Sequence, residues 1–424
     1  MVRRAGPHTS GHEKVTRGPT HRPVRVAVLD HTAQLGGAEL ALLRLLDALA
    51  ERAPGRFAVH VILLGDGPLV GRLEEAGHSV EVIGLADDLA TRDRYAAGST
   101  PLTDIRDAVR TLPLAWRVAR RLRQLEVDVV HTTSLKADLI GVPVARLARR
   151  PLVWHVHDRI ATDYLPPAMV RLVRGLARRA PHHVVANSHA TAATLPGVRR
   201  LTVVHPGLAA DQYAPAPRLR QPAGAPLVGM VGRISPTKGQ LVLVRAAALV
   251  LAKHPEARFV IVGEASFGAE DYAKEVRSEI ARLGLTDRFV LTGFVRDPVV
   301  EIDRLTVCVH GATVPEPFGQ VVVEAMARGV PVIASRGGGV DEILAAPAPA
   351  LTVPPGDPDA LAAAIARTVA DPEAALARAS QAWTTVRDSY GIGSTADGVA
   401  AVWSGVAGLA RGGPRQPGPG GPTR

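Results

Sequence analysis

Two glutamates and two cations are the residues of this chain whose types and spacing promise chemistry. Glu316 and Glu324 bracket seven residues in the run Val307 to Leu344, VCVHGATVPEPFGQVVVEAMARGVPVIASRGGGVDEIL. A carboxylate in a loop before a helix can accept sugar hydroxyls, and the free N–H groups near Gly319 are donors that the helix dipole aims at an anion. Glu324, one turn into that helix, can take the paired hydroxyls of a ribose. The plainer alternative makes Glu316 a helix cap and Glu324 a surface charge. Arg233 and Lys238 flank a turn between a strand and the next helix, where two cations can converge on a pyrophosphate. Sugar transfer from a nucleotide diphosphate builds charge on the leaving phosphate, and preorganised cations stabilise it in the transition state. Arginine supplies a fork and lysine a point charge. A pair of solvated loop charges is the other reading.

Gly36 and Gly37 follow the first strand and open a helix, so the backbone there can approach a phosphate closely. A tight turn would also explain them. No third glycine completes a dinucleotide fingerprint, which argues against a nicotinamide-dependent oxidoreductase. Glu39 suits the positive end of that helix. His155 and His157 share one face of a strand, yet no third ligand stands at metal-motif spacing; no metal is expected. His182 and His183 read as ordinary loop and strand residues. Gly338 and Gly339 read as a tight turn before Asp341 and Glu342.

The elements that must position these residues alternate between strand and helix, the pattern of parallel α/β sheets. Strands are expected at Val24–Asp30, Phe57–Leu64, Val80–Ile83, Val127–His131, Leu152–His157, His183–Ala186 and Leu201–Val204, with a helix from about Ala38 to Ala50. A proline-rich segment, Asp211–Pro226, reads as a linker. A second series follows: strands Leu227–Gly232, Arg258–Val262, Phe289–Gly293, Thr306–Val309 and Pro331–Ala334, with helices Gln240–Lys253 and Val321–Arg328. The fold class is α/β, with two Rossmann-like domains facing a cleft. Ligands of such sheets bind at the carboxyl ends of the strands. The chain divides into a basic tail 1–22, a first domain 23–212, a linker 213–226, a second domain 227–392, a final helical segment 393–410 and a tail 411–424.

The Glu-x7-Glu run resembles the signature of the retaining glycosyltransferase family 4, which has GT-B architecture. "LVGMVGRISPTKGQLVLVRAAALV" resembles its GR…KG segment, "FVIVG" and "VLTGFVRD" its next strands, "VVANSHAT" and "VVHPGLAADQYAP" its interdomain region, and "GGAEL" its glycine loop. The likeness spans roughly residues 24 to 405. It departs at His205-Pro206-Gly207-Leu208, where the family commonly shows Asn-Gly-x-Asp, and at His310-Gly311, where Pro-Ser is usual.

The resemblance implies a glycosyltransferase, hexosyltransferase-like, that moves a sugar from a nucleotide-diphosphate sugar to an acceptor hydroxyl with retained configuration. It implies that Gly36 and Gly37 approach the donor diphosphate and that Arg233 and Lys238 neutralise it without a metal or other cofactor. His157 and Glu316 would position the sugar, Glu324 the ribose, and Phe294 and Val295 the base, with Phe318 and Gly319 also at the donor. Asp158 would support His157 or meet the acceptor. The first domain would carry the acceptor, partly through loops at 86–104, the second the donor, and the final helix would cross back to the first. A UDP- or GDP-sugar is the expected donor; the acceptor is open. The rivals are a nucleotide-sugar 2-epimerase on a similar scaffold and a non-catalytic nucleotide-sugar-binding protein.

Composition narrows the field. The 424 residues suffice for two cores, and 46% hydrophobic with 21% charged residues is a globular balance. The formal charge of +10 suggests nucleic acid, but most of it sits in the two Pro/Gly-rich tails, which read as disordered. Aromatics at 4% are too few to build base-stacking surfaces, so no nucleic-acid partner is expected. The single cysteine, Cys308, has no intrachain partner and fits a reducing compartment. No secretory signal or membrane-length apolar run is present, and the reading is cytoplasmic. Leu112–Leu125 puts Leu114, Val118, Leu122 and Leu125 on one helical face with arginines elsewhere. Such a helix either packs on a sheet or lies at the inner face of an anionic membrane.

Overall fold

The structure is a computed structural model that describes residues 22–84, 105–266, 268–345 and 350–410. The expected tails, apart from Arg22, and the expected acceptor loop at 86–104 lie outside the described residues. Among the described residues, seven strands form the first sheet: β1 (Val24–Asp30), β2 (Phe57–Leu63), β3 (Ser79–Val82), β4 (Val129–Thr132), β5 (Leu152–Val156), β6 (His183–Ala186) and β7 (Leu201–Val203). Six form the second: β8 (Leu227–Val231), β9 (Arg258–Val262), β10 (Phe289–Gly293), β11 (Val307–His310), β12 (Val332–Ser335) and β13 (Leu351–Val353). Their orders are β3-β2-β1-β4-β5-β6-β7 and β10-β9-β8-β11-β12-β13, and every pairing is parallel. In each sheet the order reverses beside the first strand, β1 next to β4 and β8 next to β11. That reversal opens the crevice where an α/β sheet receives ligand.

The central strands are apolar along their length because helices cover both faces of a parallel sheet. Val26 to Asp30 of β1 are all buried. Two apolar clusters flank each sheet. The helix Ile105–Gln124 sends Leu114, Val118 and Leu122 into the first core, so its apolar stripe packs on the sheet; Leu112 and Trp116 remain exposed. Among the described residues, no helix is long and apolar enough to cross a membrane.

The final helix, Ile392–Ala410, returns to the first sheet. Its Val399, Trp403 and Val406 join the cluster built on Val26, Val28 and the helix Gly37–Arg52. Trp403 Nε1 donates to His131 Nδ1 on β4 at 3.1 Å, and Arg52 pairs with Asp397 at 2.8 Å. The proline-rich segment before β8 is strapped to the second half. Ala214 N donates to Ala327 O, Trp383 Nε1 donates to Ala214 O, and Arg218 donates to the carbonyls of Asp303 and Leu305.

Among the elements not foreseen are β13 and the helices Pro358–Ala370 and Pro372–Ser389. β13 is three residues long and both helices are rich in alanine, so neither period stands out in the sequence. β11 and β12 sit one residue later than expected, which makes His310 a strand end facing the crevice instead of a loop residue.

Candidate active site

The loops that follow β8 and β11 are locked together, and this fixes the charged residues. Gly239 has a left-handed φ of +77°, and a Cβ there would lie 2.0 Å from Gly311 O, so only glycine allows the two loops to touch. Thr313 N donates to Thr237 O at 3.0 Å across the same contact. Lys238 closes the short 3-10 turn Pro236–Lys238, and its Nζ donates to Glu316 Oε1 at 2.5 Å. His310 Nε2 stands 3.4 Å from Glu316 Oε2. Burial opposes a charge on Glu316, but Lys238 and His310 outweigh it and hold the carboxyl well below the usual carboxylate range.

Glu316 is therefore no helix cap. The helix Gln320–Ala327 begins at Gly319, φ +103°, with no side-chain cap. The backbone of Glu316 is clamped from the other side: Gly339 N donates to Glu316 O at 2.9 Å, and a Cβ on Gly338, φ +72°, would lie 2.0 Å from that carbonyl. The glycine pair read from sequence as a turn is the seat of the first glutamate.

Glu324 is half-buried and accepts from Gln320 Nε2 at 2.9 Å. Burial raises its pKa, while Arg44, Gln320 and Lys238 pull it down. Arg44 belongs to the helix Gly37–Arg52 of the first half, so this glutamate is addressed by cations from both sides of the crevice. The N-termini of the two helices face each other: a Cβ on Gly37 would come 3.4 Å from Gln320 Oε1.

Arg233 is held through its backbone. Fully buried Gln240 donates from Nε2 to Arg233 O at 2.9 Å and accepts Ser235 N at 3.3 Å. Sequence reasoning missed Gln240 and His310; a glutamine opening a helix and a histidine in an apolar strand carry no motif. Across the crevice, burial and Asp30 push Glu39 up to about 8, and Arg233 pulls against that shift. A carboxyl with that pKa is largely protonated near neutral pH, so its burial, more than the helix dipole, sets its state.

His157 lies just beyond β5, its ring 4.2 Å from His155. Burial lowers its pKa against the pull of Asp158 and Asp30, leaving a neutral imidazole near neutral pH. Asp158 accepts from Tyr164 OH at 3.0 Å. His155 faces His131, ring centroids 5.3 Å apart, and burial drives both well below the ordinary histidine value, His131 to about 3. The gathering of metal-type ligand atoms among the described residues is elsewhere, at His189, His205 and Glu342, within 4.8 Å of one another.

Phe294 is about half exposed beyond β10, whereas Val295 packs against the second core. Phe318 is 3% exposed, its ring in a mutual cluster with those of His205 and Tyr390. Its side chain is occupied in packing, so a donor contact from this residue would come from the backbone. The two halves are latched beside it. Ser188 Oγ and Thr191 Oγ1 donate to Pro317 O, and Glu342 accepts the backbone N–H groups of His189 and Ala190. His205, at the departure from the usual Asn-Gly-x-Asp, stands 3.2 Å from Glu342. Glu342 thus caps a helix of the opposite half instead of merely completing a turn.

Comparison with known proteins agrees with this architecture. The family described as Glycosyltransferase Family 4 matches residues 35–212, and Glycosyl transferases group 1 matches residues 216–383. The lipopolysaccharide core biosynthesis mannosyltransferase LpcC of Rhizobium leguminosarum bv. viciae is 32% identical over 69% of this chain and 82% of its own length. The 2-deoxystreptamine glucosyltransferase of Streptomyces kanamyceticus is 30% identical over 64% and 76%. Among solved structures, Anabaena HepE in complex with UDP-glucose superposes with a TM-score of 0.77 at 29% identity, covering 90% of this chain and 99% of that one. Two parallel sheets, glycine-locked loops around a Lys238–Glu316 pair, and relatives that match across both halves lead to one conclusion: the chain is a GT-B glycosyltransferase and belongs to glycosyltransferase family 4.

Proposed function

We propose that the enzyme transfers a sugar from a nucleotide-diphosphate sugar to an acceptor hydroxyl with retained anomeric configuration. The observation that carries this reading is the pairing of Lys238 with Glu316 at the mouth of two opposed helix N-termini. A diphosphate placed there meets the free N–H groups after Gly36–Gly37 and Gly319, with Arg233 and Lys238 on its flank. As the glycosidic bond of the donor breaks, charge grows on the leaving phosphate, and groups already fixed by Gln240 and Glu316 stabilise it with little rearrangement. The carboxylate of Glu316 is held ionised and accepts sugar hydroxyls. Glu324 accepts the ribose hydroxyls. His157, neutral, hydrogen-bonds the sugar without adding charge. Cations and helix ends supply the neutralisation, so the donor site works without a metal or other cofactor.

UDP-sugars are the first donors to test, because HepE was solved with UDP and with UDP-glucose. The unpaired Cys308 fits a cytoplasmic enzyme, and the exposed Leu112 and Trp116 are where a peripheral membrane contact would form. The test is a melting-temperature and nucleotide-release screen against UDP-, GDP- and ADP-sugars, with Lys238→Ala and Glu324→Ala alongside. One donor should raise the melting temperature of the wild type and neither variant should respond. Variants that respond like the wild type would show that the donor binds elsewhere.

A further inference from the structure

A cavity among the described residues lies away from the crevice. It measures about 480 Å³ and opens beneath the first sheet, where β5 and β6 begin and the final helix ends. β5 spans five residues, so this end lies on the order of 16 Å from the carboxyl edge that carries the site. Its rim carries Arg146, Arg149, Arg150 and Arg200, and no carboxylate lines it. Its floor is apolar, with Val142, Leu152 and Leu409.

The rim is built for an anion. Among the described residues, no hydrogen bond or ion pair engages the guanidinium of Arg146, Arg149, Arg150 or Arg200, although most other described arginines have such a partner. Arg146, Arg149 and Arg200 are exposed, which alone would mean little. Arg150 is different: its Nε is buried and has no hydrogen-bond partner, a donor withdrawn from water with nothing in return. His182 adds a directed donor. Its Nδ1 accepts Leu152 N at 3.3 Å, which leaves the ring proton on Nε2. Burial and Arg200 keep its pKa low, so the ring is neutral. The C-terminus of the helix Leu135–Ala148 accounts for a cation or two nearby, but Arg200 comes from the start of β7, another element. Guanidinium forks converging from two elements suit the oxygens of a phosphate, and the apolar floor suits a short hydrocarbon.

We propose that this cavity binds a phosphate ester, its phosphate held by Arg149, Arg150 and Arg200 and its apolar part on Leu152 and Leu409. The site is separate from the donor crevice and independent of the donor assignment. A phospholipid headgroup and a soluble phosphorylated metabolite share this chemistry, and the test separates them. The full chain is titrated calorimetrically with dihexanoyl phosphatidic acid below its micelle concentration, and separately with glycerol 3-phosphate. The proteins are the wild type, the double variant Arg149→Gln/Arg150→Gln, and Lys238→Ala. The expected result is one molecule bound per chain, an affinity at least ~10-fold weaker in the double variant, and no change in Lys238→Ala. Equal binding of both probes assigns the site to soluble phosphates; binding of the acylated probe alone assigns it to lipid. Absence of saturable binding, or a double variant that binds like the wild type, overturns the proposal. Loss of binding in Lys238→Ala would place the phosphate in the crevice and overturns it equally. Melting temperatures of the ligand-free variants check that each folds.

Discussion

The two walls of the crevice handle ionisable groups in opposite ways. On the second-half wall, Glu316 is buried but ionised because Lys238 and His310 stand against it. On the first-half wall, where Glu39 is buried and His157 half-buried, desolvation wins: Glu39 is pushed up to about 8 and His157 downward, so both incline to their neutral forms. Burial acts on both walls, and an opposite charge at hydrogen-bond distance, such as Lys238 at Glu316, decides the outcome; Glu324, with the neutral Gln320 as its partner, is shifted upward. One wall offers fixed charge, fit for a diphosphate and sugar hydroxyls. The other also carries the charges of Asp30 and Arg44, but its Glu39 and His157 are polar groups inclined to neutrality, fit for orienting a neutral sugar and its acceptor.

The sharpest way to break this contrast is Lys238→Ala. It removes the partner of Glu316 and a cation from the diphosphate, and turnover should fall ~10²–10³-fold. Steady-state nucleotide release measures it, and a variant within about threefold of the wild type would show that the charged wall is not where chemistry occurs. Gly338→Ala should come next. A methyl there meets Glu316 O at 2.0 Å in a left-handed backbone, so stability should drop by about 3 kcal/mol and turnover with it. Chemical denaturation reads the first effect and the assay the second.

The neutral wall is tested by pH. The pKa of Glu39 is about 8 when folded, above its ordinary 4.5, so folding takes up a proton between those values. Its contribution is fully present below about pH 4.5 and is lost as pH rises towards 8. Glu39→Gln should remove that loss, gaining on the order of 2–3 kcal/mol over the wild type at about pH 9 and much less at about pH 5. Identical pH–stability curves would mean the carboxyl ionises freely. The smallest effect belongs to the latch between the walls. Ser188→Ala removes a hydroxyl that donates to Pro317 O and caps Thr191 N, costing about 1 kcal/mol. A rise in KM for donor, without a matching fall in kcat, would show that the latch sets the approach of the walls.

Much of this could be read before any coordinates. β1, β6, β9 and β10 match their expected bounds because apolar runs between turn residues leave little choice. Arg233, Lys238, Glu316 and Glu324 were singled out because charged residues beside glycine turns at strand ends are chemically conspicuous. Gln240 and His310 were not, since their importance lies in what they touch. Phe318 was expected at the donor, and its ring went to packing with His205 and Tyr390. Glu342 looked like part of a turn until it was seen to cap the helix His189–Ala193 from the opposite half.

The sequence by itself determined the alternation of strand and helix, the family, and the residue types at the crevice, because periodicity and motif spacing are local properties of the chain. Only the tertiary structure decided which of those residues are charged, which glycines are obligatory, and which arginines gather at the cavity beneath the first sheet. Those outcomes depend on burial and on neighbours such as Lys238 and Glu316, 78 positions apart in sequence and 2.5 Å apart in space. Such distances are set by how two sheets and their loops pack, and no local pattern in the chain encodes them.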